Sequence, residues 1–358
     1  MKNNEEIINK MTTLFTFSKN LESISTTTSW YLSELAEYRG KQDLYTHQAP
    51  QKLKSLKEHA IIESSISSNR MEGVEIEHKR IGTVVFGKRS HYKDRNEEEI
   101  AGYKQALTLI HENYKDLSLT EVTIQKIHAL TRGEIWDAGL YKEKDGDIIE
   151  KYPDGRERVR FKTVTAIETA SSMKQLLTLW NDLLKDKHVV PPLVLLAAFN
   201  LDFLCIHPFR DGNGRVSRLL LLLQSYHLGF EVGRYISLEK IIEETKERYY
   251  ETLEQSSQGW HEGKHDPWPF INYILSIFKT AYKEFEGRVG ETQTPKGSKT
   301  ESIMTAIEKQ LGKFSVADLQ KSCPATSIDM IRKVLKDLKK NGKIECLGRG
   351  KDAFWKKI

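Results

Sequence analysis

The sequence predicts a mainly α-helical protein with a short β-hairpin, followed by a small C-terminal domain of helices and a second hairpin. Three observations support this fold class. Long segments before residue 287 repeat apolar residues three and four positions apart, whereas residues 139–164 contain turn signals and a short alternating stretch. Residues 287–300, GRVGETQTPKGSKT, lack apolar periodicity and indicate a linker. The length of 358 residues also exceeds what one hydrophobic core usually organises, so we expect two folded units.

The predicted helices of the larger unit follow from these apolar patterns. Amphipathic stripes run through residues 100–110, 122–130 and 173–184. Residues 193–204 and 216–228 are apolar nearly all round, as is typical of helices inside a bundle. These last two helices are therefore expected to form the centre of the core.

The same patterns divide the chain into four parts. They are an N-terminal helical region at 1–95 that includes a helix at 60–73, a core domain at 96–286, the linker at 287–300 and a C-terminal domain at 301–358. The net charge of +5 is unevenly distributed. Residues 296–358 contain 15 Lys and Arg against 7 Asp and Glu, a net of +8, so the rest of the chain sums to 5 − 8 = −3. Basic character therefore belongs to the C-terminal domain.

Composition excludes several classes of protein. With 39% hydrophobic and 29% charged residues, the chain has the composition of a soluble globular protein. Its three cysteines, Cys205, Cys323 and Cys346, are far apart and form no CxxC pair, which supports neither a disulfide framework nor a four-ligand zinc site. The first residues mix acids and amides, and no run approaches the roughly 18 apolar residues of a membrane span. We expect a cytoplasmic protein without membrane contact.

The window at 207–218, HPFRDGNGRVSR, lies between the two buried helices and is predicted to be a loop that leads into a helix N-terminus. Gly212, Asn213 and Gly214 tolerate unusual backbone angles, so successive N–H groups can converge on an anion. The helix that follows adds partial positive charge at the same point. Arg215 and Arg218 are three residues apart and can hold phosphate oxygens together.

Two further residues of this window complete a set suited to phosphoryl-type transfer. Asp211 supplies a hard oxygen of the kind that Mg²⁺ prefers when it shares coordination with phosphates. His207 is a base whose unperturbed pKa lies near neutrality. Each residue alone has a more ordinary interpretation, such as a loop histidine, a turn or a solvated arginine pair. Their combination within twelve residues favours the functional interpretation.

This window resembles the signature of the Fic family, HxFx(D/E)GNGRxxR, at every specified position. The resemblance extends over about residues 61–285 and includes further segments of a Fic core, namely IHAL at 127–130, GLY at 139–141, ISLEK at 236–240, YY at 249–250 and DPW at 266–268. It implies a helical Fic bundle in which ATP and Mg²⁺ are used to transfer AMP to a hydroxyl side chain of a target protein.

Carried over to this sequence, the resemblance implies a role for each residue of the window. His207 would deprotonate the target hydroxyl, Phe209 would anchor the loop in the core, and Asp211 would hold Mg²⁺. The backbone of residues 212–214 and the Asn213 side chain would stabilise charge on the α-phosphate. The residues implied in binding ATP and its phosphates are Gly212, Asn213, Gly214, Arg215, Arg218, Tyr249 and Tyr250. The hairpin at 139–164 would be the flap on which the target protein docks by strand addition.

A second motif precedes the core. Ser68 and Glu72 are four residues apart and hence on one helix face, and Gly73 is suited to end that helix in a left-handed conformation. Beside a Fic core, this segment resembles the family's inhibitory motif (S/T)xxxE(G/N). The resemblance implies that Glu72 pairs with Arg218 and obstructs the γ-phosphate, so that the chain inhibits itself.

The C-terminal domain predicts three helices and a hairpin, the arrangement of a winged helix-turn-helix. The third helix begins after Thr326 or Ser327 and ends at Gly342, and residues 343–346 and 353–356 can pair as strands. Basic residues suited to phosphate contacts lie on this helix and in the wing, at Arg332, Lys333, Lys336, Lys339, Lys340, Arg349 and Lys351. The sequence allows this domain to bind either duplex DNA or a protein partner.

Alternative functions remain open at this point. Glu72 could also position water to remove AMP from modified targets, which would make the enzyme de-AMPylating or bifunctional. The Fic core could instead serve as the nucleotide sensor of a DNA-binding regulator. The intact His207 favours an enzyme, because a sensor does not require it. The sequence leaves the target protein, the modified residue and homodimer formation undetermined.

Overall fold

The computed structural model describes residues 12–19, 21–48, 50–87, 92–151, 154–186, 189–290, 298–308, 310, 312–323, 326–348 and 353–357. The chain forms two compact units, residues 1–287 and 288–358. The first is helical with one hairpin, and the second combines helices with a small sheet, which confirms the predicted fold class. Among the described residues, none of the helices combines the length and the apolar character that a bilayer span requires.

The first unit contains most of the helices and one pair of strands. Its helices are α1 (Thr13–Lys19), α2 (Thr26–Gln48), α3 (Pro50–Met71), α4 (Ile81–Phe86), α5 (Arg95–Asn113), α6 (Glu121–Arg132), α7 (Ala166–Lys185), α8 (Pro192–Ile206), α9 (Asn213–His227), α10 (Leu238–Glu244), α11 (Lys246–Ser257) and α12 (Trp268–Gly290). In the described part of this unit, two short 3₁₀ turns, His78–Arg80 and Val232–Arg234, and the strands β1 (Asp147–Lys151) and β2 (Glu157–Lys162) complete the set of elements.

The centre of the first unit is built by α8 and α9, as predicted. Every residue of α8 from Leu193 onward is buried, and α9 buries all but Gly214 and His227. Pro192 at the first position of α8 fits the helix start, because that N–H has no intrahelical acceptor. Helices so apolar can only be stable when other elements cover them, and α1, α6, α7 and α11 pack around them.

The amphipathic helices α5, α6 and α7 form where the apolar stripes predict them. The prediction that Val122 belongs to the apolar face of α6 is wrong, because this side chain is 73% exposed. The buried face of α6 is formed by Ile124, Ile127, His128, Thr131 and Arg132. A three-and-four spacing allows both assignments, and tertiary packing selects the second. Thr120 caps α6, since its side chain accepts a hydrogen bond from the Thr123 N–H.

Helix α3 carries the segment predicted to be inhibitory. It runs from Pro50 to Met71, begins earlier than the predicted 60–73 and stops two residues before Gly73, whose φ of 78° is the left-handed conformation expected there. α3 packs against α5 and α10. A buried hydrogen bond from Ser64 Oγ to Glu239 Oε2, 2.7 Å, joins it to α10.

Strands β1 and β2 form the predicted hairpin within 139–164. They pair antiparallel with Ile148 opposite Phe161, and the next pair is Ile149 opposite Val159, so Arg160 is an extra residue in β2. The alternation at 158–161 predicts the strand, but it cannot predict this bulge.

The predicted linker at 287–300 needs correction at both ends. Helix α12 continues to Gly290 because its buried face of Ala281, Phe285 and Val289 extends one turn further. Ser298 already begins the next helix, and residues 291–297 lie outside the described part of the chain.

The second unit contains α13 (Ser298–Glu308), α14 (Val316–Ser322) and α15 (Ile328–Lys340), with strands β3 (Phe314–Ser315), β4 (Ile344–Cys346) and β5 (Phe354–Lys357) in the order β3-β5-β4. Ser327 caps α15, as expected. The two-residue strand β3 is too short to be detected in the sequence. The wing residues Arg349 and Lys351 lie outside the described residues, and the winged-helix assignment stays a prediction.

Candidate active site

The loop between α8 and α9 is shaped by two left-handed residues. α8 ends at Ile206, and its C-cap His207 has φ 53° and ψ 62°. A non-glycine residue in this region costs on the order of 1 kcal/mol, and it persists where surrounding contacts fix it, often at functional sites. Gly212, with φ 83°, precedes the first residue of α9. The loop therefore places both the His207 ring and the N-terminus of α9 at the same cleft.

Contacts beneath the loop hold it rigid. Phe209 is fully buried and stacks on the His128 ring at 3.8 Å, as its predicted anchoring role requires. His128 Nδ1 accepts the Gly139 N–H at 2.8 Å, so Nε2 carries the proton and donates to the Asp211 carbonyl oxygen at 3.0 Å. Burial lowers the pKa of His128 to about 4, which keeps this tautomer neutral. His128 is thus a structural support of the loop.

The Asn213 side chain has a different role from the one predicted for it. Its Nδ2 donates to the Phe209 carbonyl oxygen at 2.7 Å, and its Oδ1 accepts the Phe209 N–H at 2.9 Å. Both polar atoms of the amide are therefore used to close the loop and do not face a substrate. The start of α9 can bind an anion through its backbone. The Gly212 carbonyl oxygen accepts the Val216 N–H, so the N–H groups of residues 213–215 have no acceptor within the helix.

The contacts of His207 determine its tautomer and its protonation state. Its Nδ1 lies 3.3 Å from the Leu204 carbonyl oxygen, which can only accept, so Nδ1 carries the proton and Nε2 keeps its lone pair. Burial lowers the pKa of His207 to about 4, with a further contribution from the Lys142 ammonium. The imidazole is therefore neutral near pH 7.

Asp211 presents a half-exposed carboxylate at the edge of the loop. Its Oδ1 accepts the Gly212 N–H at 2.6 Å, and its Oδ2 lies 2.7 Å from Arg132 Nη1. Burial raises the pKa of Asp211, but the guanidinium groups of Arg132 and Arg215 outweigh it and hold the pKa below its ordinary value. The carboxylate is therefore anionic near neutral pH.

The donor set at Asp211 fits a magnesium ion that shares its coordination with a substrate. Among the described residues, no group of three or more His, Cys, Asp or Glu side chains could hold a metal by itself. Mg²⁺ commonly takes one or two carboxylates and completes its shell with phosphate oxygens and water. Asp211 is 54% exposed, and each of its oxygens keeps a lone pair beyond the contacts named, so it can serve as that one carboxylate.

Arg215 does not reach the cleft. Its guanidinium is 2% exposed, donates to Glu99 Oε2 at 2.6 Å and to Asn69 Oδ1 at 3.2 Å, and lies 3.9 Å from Asp211 Oδ1. The predicted grip on phosphate oxygens is thus not the role that this structure gives it. Arg215 instead joins α9 to α5 and to the end of α3.

Arg218 forms hydrogen bonds with the segment that is predicted to be inhibitory. Its Nε donates to Ser68 Oγ at 2.8 Å, and its Nη2 donates to the Ser68 carbonyl oxygen at 2.9 Å and to Glu72 Oε1 at 2.7 Å. The guanidinium is 2% exposed and the Glu72 side chain 26%. The Glu72 carboxylate also lies over the start of α9, since a Cβ placed on Gly214 would be 2.3 Å from Glu72 Oε1. Glu72 therefore sits where the sequence predicts a bound anion.

These groups line one cleft. It has a volume of about 200 Å³, and its walls include Glu72, His207, Gly214, Arg218, Tyr249, Tyr250, Arg160, Phe161 and Glu254. Small-molecule sites usually have about 300–1,000 Å³, so the space is small for a nucleotide while Glu72 occupies part of it. A second cavity of about 420 Å³, lined in part by Trp136, Lys142 and Arg210, also reaches His207. The base is thus accessible from two sides.

Several residues of the site have no distinctive sequence signal. Glu99 and Arg132 are buried ion-pair partners, but in the sequence they are ordinary charges at the two ends of helices. Lys142 is buried and donates to the Ile206 carbonyl oxygen and to Thr163 Oγ1, and burial lowers its pKa to about 8. Only its position after the GLY segment could have drawn attention to it.

Comparison with known proteins adds a family and named relatives. Residues 118–225 match the model of the Fic/DOC family. The chain is 27% identical over 184 residues to "Protein adenylyltransferase Fic" of Nematostella vectensis, covering 49% of this chain and 36% of the relative. It is 26% identical over 212 residues to "Protein adenylyltransferase fic-1" of Caenorhabditis elegans, covering 58% and 36%. The chain thus spans about a third of the length of these curated relatives.

Solved structures agree at the level of the fold. A Fic family protein from Desulfovibrio desulfuricans G20 superposes with a TM-score of 0.61 at 21% identity and covers 94% of this chain and 97% of its own. A Fic domain containing signaling protein from Bacteroides thetaiotaomicron VPI-5482 gives a TM-score of 0.59 at 22% identity, covering 72% and 97%. The helical bundle described above is therefore shared with these proteins.

Proposed function

We propose, from the premise that this chain is a Fic family protein, that it is a protein adenylyltransferase that transfers AMP from ATP to a Ser, Thr or Tyr hydroxyl of a target protein. The observation that carries the proposal is the neutral His207 with its free Nε2, beside the start of α9 and Arg218 in one cleft. Two relatives named as protein adenylyltransferases support the same activity.

In the proposed reaction, the target hydroxyl loses its proton to His207 Nε2 while its oxygen attacks the α-phosphorus of ATP. The new oxygen–phosphorus bond forms as the bond to the β-phosphate oxygen breaks, and pyrophosphate leaves. General-base catalysis of this kind contributes about 10²–10⁴ in rate. The backbone N–H groups at the start of α9 face the charge that grows on the α-phosphate oxygens.

The remaining groups orient the nucleotide. Arg218 would bind the terminal phosphates, and Tyr249 and Tyr250 would form the wall beside the nucleoside. Asp211 would hold Mg²⁺, which when bound neutralises charge on the phosphates. Arg132 keeps the Asp211 carboxylate in place at 2.7 Å. The target protein would dock on the hairpin and offer its hydroxyl from the second cavity that reaches His207.

Glu72 would restrain this activity. Its carboxylate occupies the Arg218 guanidinium at 2.7 Å and covers the start of α9, so it competes with the terminal phosphates for the same donors. ATP would bind in the productive orientation only when Glu72 moves away. The contact also leaves room for a second activity, in which Glu72 positions water for removal of AMP.

Two variants test the transferase. We expect Glu72→Gly to raise AMP incorporation and His207→Ala to abolish it, because one frees Arg218 and the other removes the base. The measurement is mass spectrometry of the protein and of lysate proteins after incubation with ATP and Mg²⁺, with a gain of about 329 Da for AMP. Glu75→Gly and His227→Ala, exposed residues outside the cleft, are matched controls.

Different outcomes would contradict different parts of the proposal. A phosphate-sized adduct, or loss of AMP from a modified target without its addition, would replace the transfer of AMP by another reaction. Equal AMP incorporation by Glu72→Gly and the wild type would remove the restraint and leave the transferase.

A second function is favoured by the surface of α15. Its buried face is formed by Ile331, Val334, Leu335 and Leu338. The opposite face exposes Lys333, Lys336 and Lys340 as one stripe, with Arg332 and Lys339 beside it. We propose that this stripe binds the phosphates of duplex DNA, because the unit carries the net positive charge of the chain.

Salt dependence tests this second function. We expect the wild type to bind a generic DNA duplex with an affinity that falls with salt, at a slope of about −0.9 for each phosphate contact. Replacing Lys333, Lys336 and Lys340 by Glu should make the dependence of affinity on salt less steep, by the amount expected for the loss of about three phosphate contacts. The control is the same charge change at Lys174, Lys246 and Lys264, exposed residues of the first unit. Equal losses in both variants would show a general charge effect and contradict the assignment.

A further inference from the structure

The bulge in β2 directs one arginine into the cleft. Because Ile149 pairs with Val159 and Ile148 with Phe161, Arg160 has no partner opposite it in β1. Bulges of this type change the direction of a side chain and are frequent beside active sites. Arg160 lines the cleft together with Phe161, although neighbours in a regular strand point to opposite faces.

Arg160 binds the wall of the cleft at two points. Its Nη2 donates to the Tyr250 carbonyl oxygen at 2.7 Å and lies 3.0 Å from Glu254 Oε2. The guanidinium also stands 5.5 Å from the centroid of the Tyr250 ring, a cation–π distance. The side chain is 21% exposed, so these contacts are largely shielded from solvent. The hairpin is thereby fastened to α11.

The second carboxylate oxygen of Glu254 has its own cation. Arg158, which pairs with Glu150 across the hairpin, lies 2.7 Å from Glu254 Oε1, and this arginine is 50% exposed. Glu254, which lines the cleft, therefore has two guanidinium partners, and the shielded Arg160 contributes most of its neutralisation because exposed pairs contribute little. Without Arg160, Glu254 would repel the phosphates of a nucleotide. Arg160 is the partner closer to the cleft, whereas Arg158 does not line it.

We propose that Arg160 is a positioning residue of the nucleotide site: it fixes the Tyr250 wall, neutralises Glu254 and makes the hairpin and the cleft respond to the nucleotide together. This inference rests on the proposed function, in that the cleft accepts an adenine nucleotide. The coupling follows from geometry, since Arg160 belongs to β2 and its guanidinium contacts two residues of α11, Tyr250 and Glu254, at once. A nucleotide that orders Tyr250 thereby also orders the hairpin.

The test measures ADP binding by calorimetry with the full chain and Mg²⁺. ADP lacks the γ-phosphate that Glu72 would oppose, so the wild type can be used. Arg160→Met should weaken ADP binding about tenfold, the usual effect of losing a hydrogen-bonded charge. Arg158→Met, the matched control, should change it less than about twofold, because exposed pairs contribute little. Arg160→Met with Glu254→Gln should recover part of the affinity, since the unmasked carboxylate is then removed.

A second readout separates positioning from simple loss of stability. In the wild type, ADP should slow hydrogen exchange of the backbone amides of β1 and β2, and in Arg160→Met this protection should disappear although thermal unfolding is unchanged. If Arg160→Met unfolds, Arg160→Lys, which keeps the charge but not the guanidinium geometry, replaces it and should bind ADP with intermediate affinity.

The outcomes distinguish this inference from the proposed function. Wild-type ADP affinity and hairpin protection in the Arg160 variants would overturn the inference alone. Weakened binding in Arg160→Met without any AMP transfer by Glu72→Gly would support the inference and overturn the transferase. Failure of both the wild type and Glu72→Gly to bind ADP would overturn both.

Discussion

Buried charges, rather than the exposed ones, hold the loop between α8 and α9 in place. Glu99 is 5% exposed and accepts hydrogen bonds from Arg215 at 2.6 Å, Arg132 at 3.0 Å and Arg95 at 3.0 Å. Arg132 in turn contacts Asp211, the proposed magnesium ligand. A single carboxylate thus neutralises two buried guanidinium groups and, through one of them, sets the position of a residue at the site.

Removing the negative charge of Glu99 should strongly destabilise the folded protein. We expect Glu99→Gln to lower the free energy of unfolding by about 3–5 kcal/mol, because two buried arginines lose their main counter-charge. Urea unfolding followed by circular dichroism measures the effect. Glu112→Gln, an exposed position on the same helix, should stay within about 0.5 kcal/mol of the wild type. A Glu99→Gln protein as stable as that control would contradict the role assigned to the ion-pair network.

At the scale of elements, the end of α3 determines where Glu72 lies. The helix stops at Met71, Gly73 turns the chain with φ 78°, and the Val74 N–H donates to the Asn69 carbonyl oxygen at 3.0 Å. This turn places the Glu72 carboxylate against Arg218 and the start of α9. The geometry of one helix end therefore sets the proposed inhibition.

Two Gly→Ala substitutions separate conformation from contact at this scale. A Cβ at Gly73 or at Gly40 would meet nothing within 4 Å. Gly73→Ala should nevertheless destabilise the protein by about 1–2 kcal/mol, because alanine disfavours positive φ. Gly40→Ala, within α2, should stabilise it by about 0.5–1 kcal/mol. Thermal or urea unfolding of both variants measures the two signs, and a stabilising Gly73→Ala would argue against the left-handed turn.

The limits of sequence reasoning are visible at particular residues. The apolar runs of α8 and α9 and the glycines at 73 and 212 predict helices and turns, because local geometry demands those residue types. The direction of a polar side chain depends on distant partners instead. Asn213 turns back to Phe209, Arg215 binds Glu99, and Arg160 leaves its strand register at a bulge. None of these contacts has a spacing that the sequence could reveal.

At the scale of the whole molecule, the two units differ in the groups that titrate near neutrality. All 11 histidines precede residue 266, so the second unit contains none. Burial lowers the pKa of His128, His207 and His265 to about 4, and that of His111 to about 3. In the unfolded chain the histidine pKa values lie near 6.5, so between pH 4 and 6.5 the unfolded chain binds more protons than the folded one. These four histidines therefore lower the stability of the first unit as pH decreases from about 6.5 to 4. Asp202, whose pKa burial raises to about 6, acts in the opposite direction, but it is one group against four.

One cysteine in each unit reports this difference. Cys205 and Cys323 are buried in the first and second unit, respectively. We expect the urea midpoint for exposure of Cys205 to be lower at pH 5 than at pH 7, while that of Cys323 changes little. Thiol labelling read by peptide mass spectrometry, normalised to the unfolded chain at each pH, provides both midpoints. Equal shifts at the two cysteines would assign the effect to groups other than the buried histidines.

The contact between Glu72 and Arg218 joins residues of one polypeptide, and this has a consequence for how the proposed activity can be controlled. An intramolecular carboxylate acts at an effective concentration that does not depend on how much protein is present. Dilution, synthesis or degradation of a separate inhibitor therefore cannot adjust the proposed restraint. Its release must come from a ligand that competes for Arg218, such as the nucleotide, or from binding or covalent change near the end of α3. The fraction of molecules in which Glu72 has left Arg218 then depends on such events and not on the concentration of the protein.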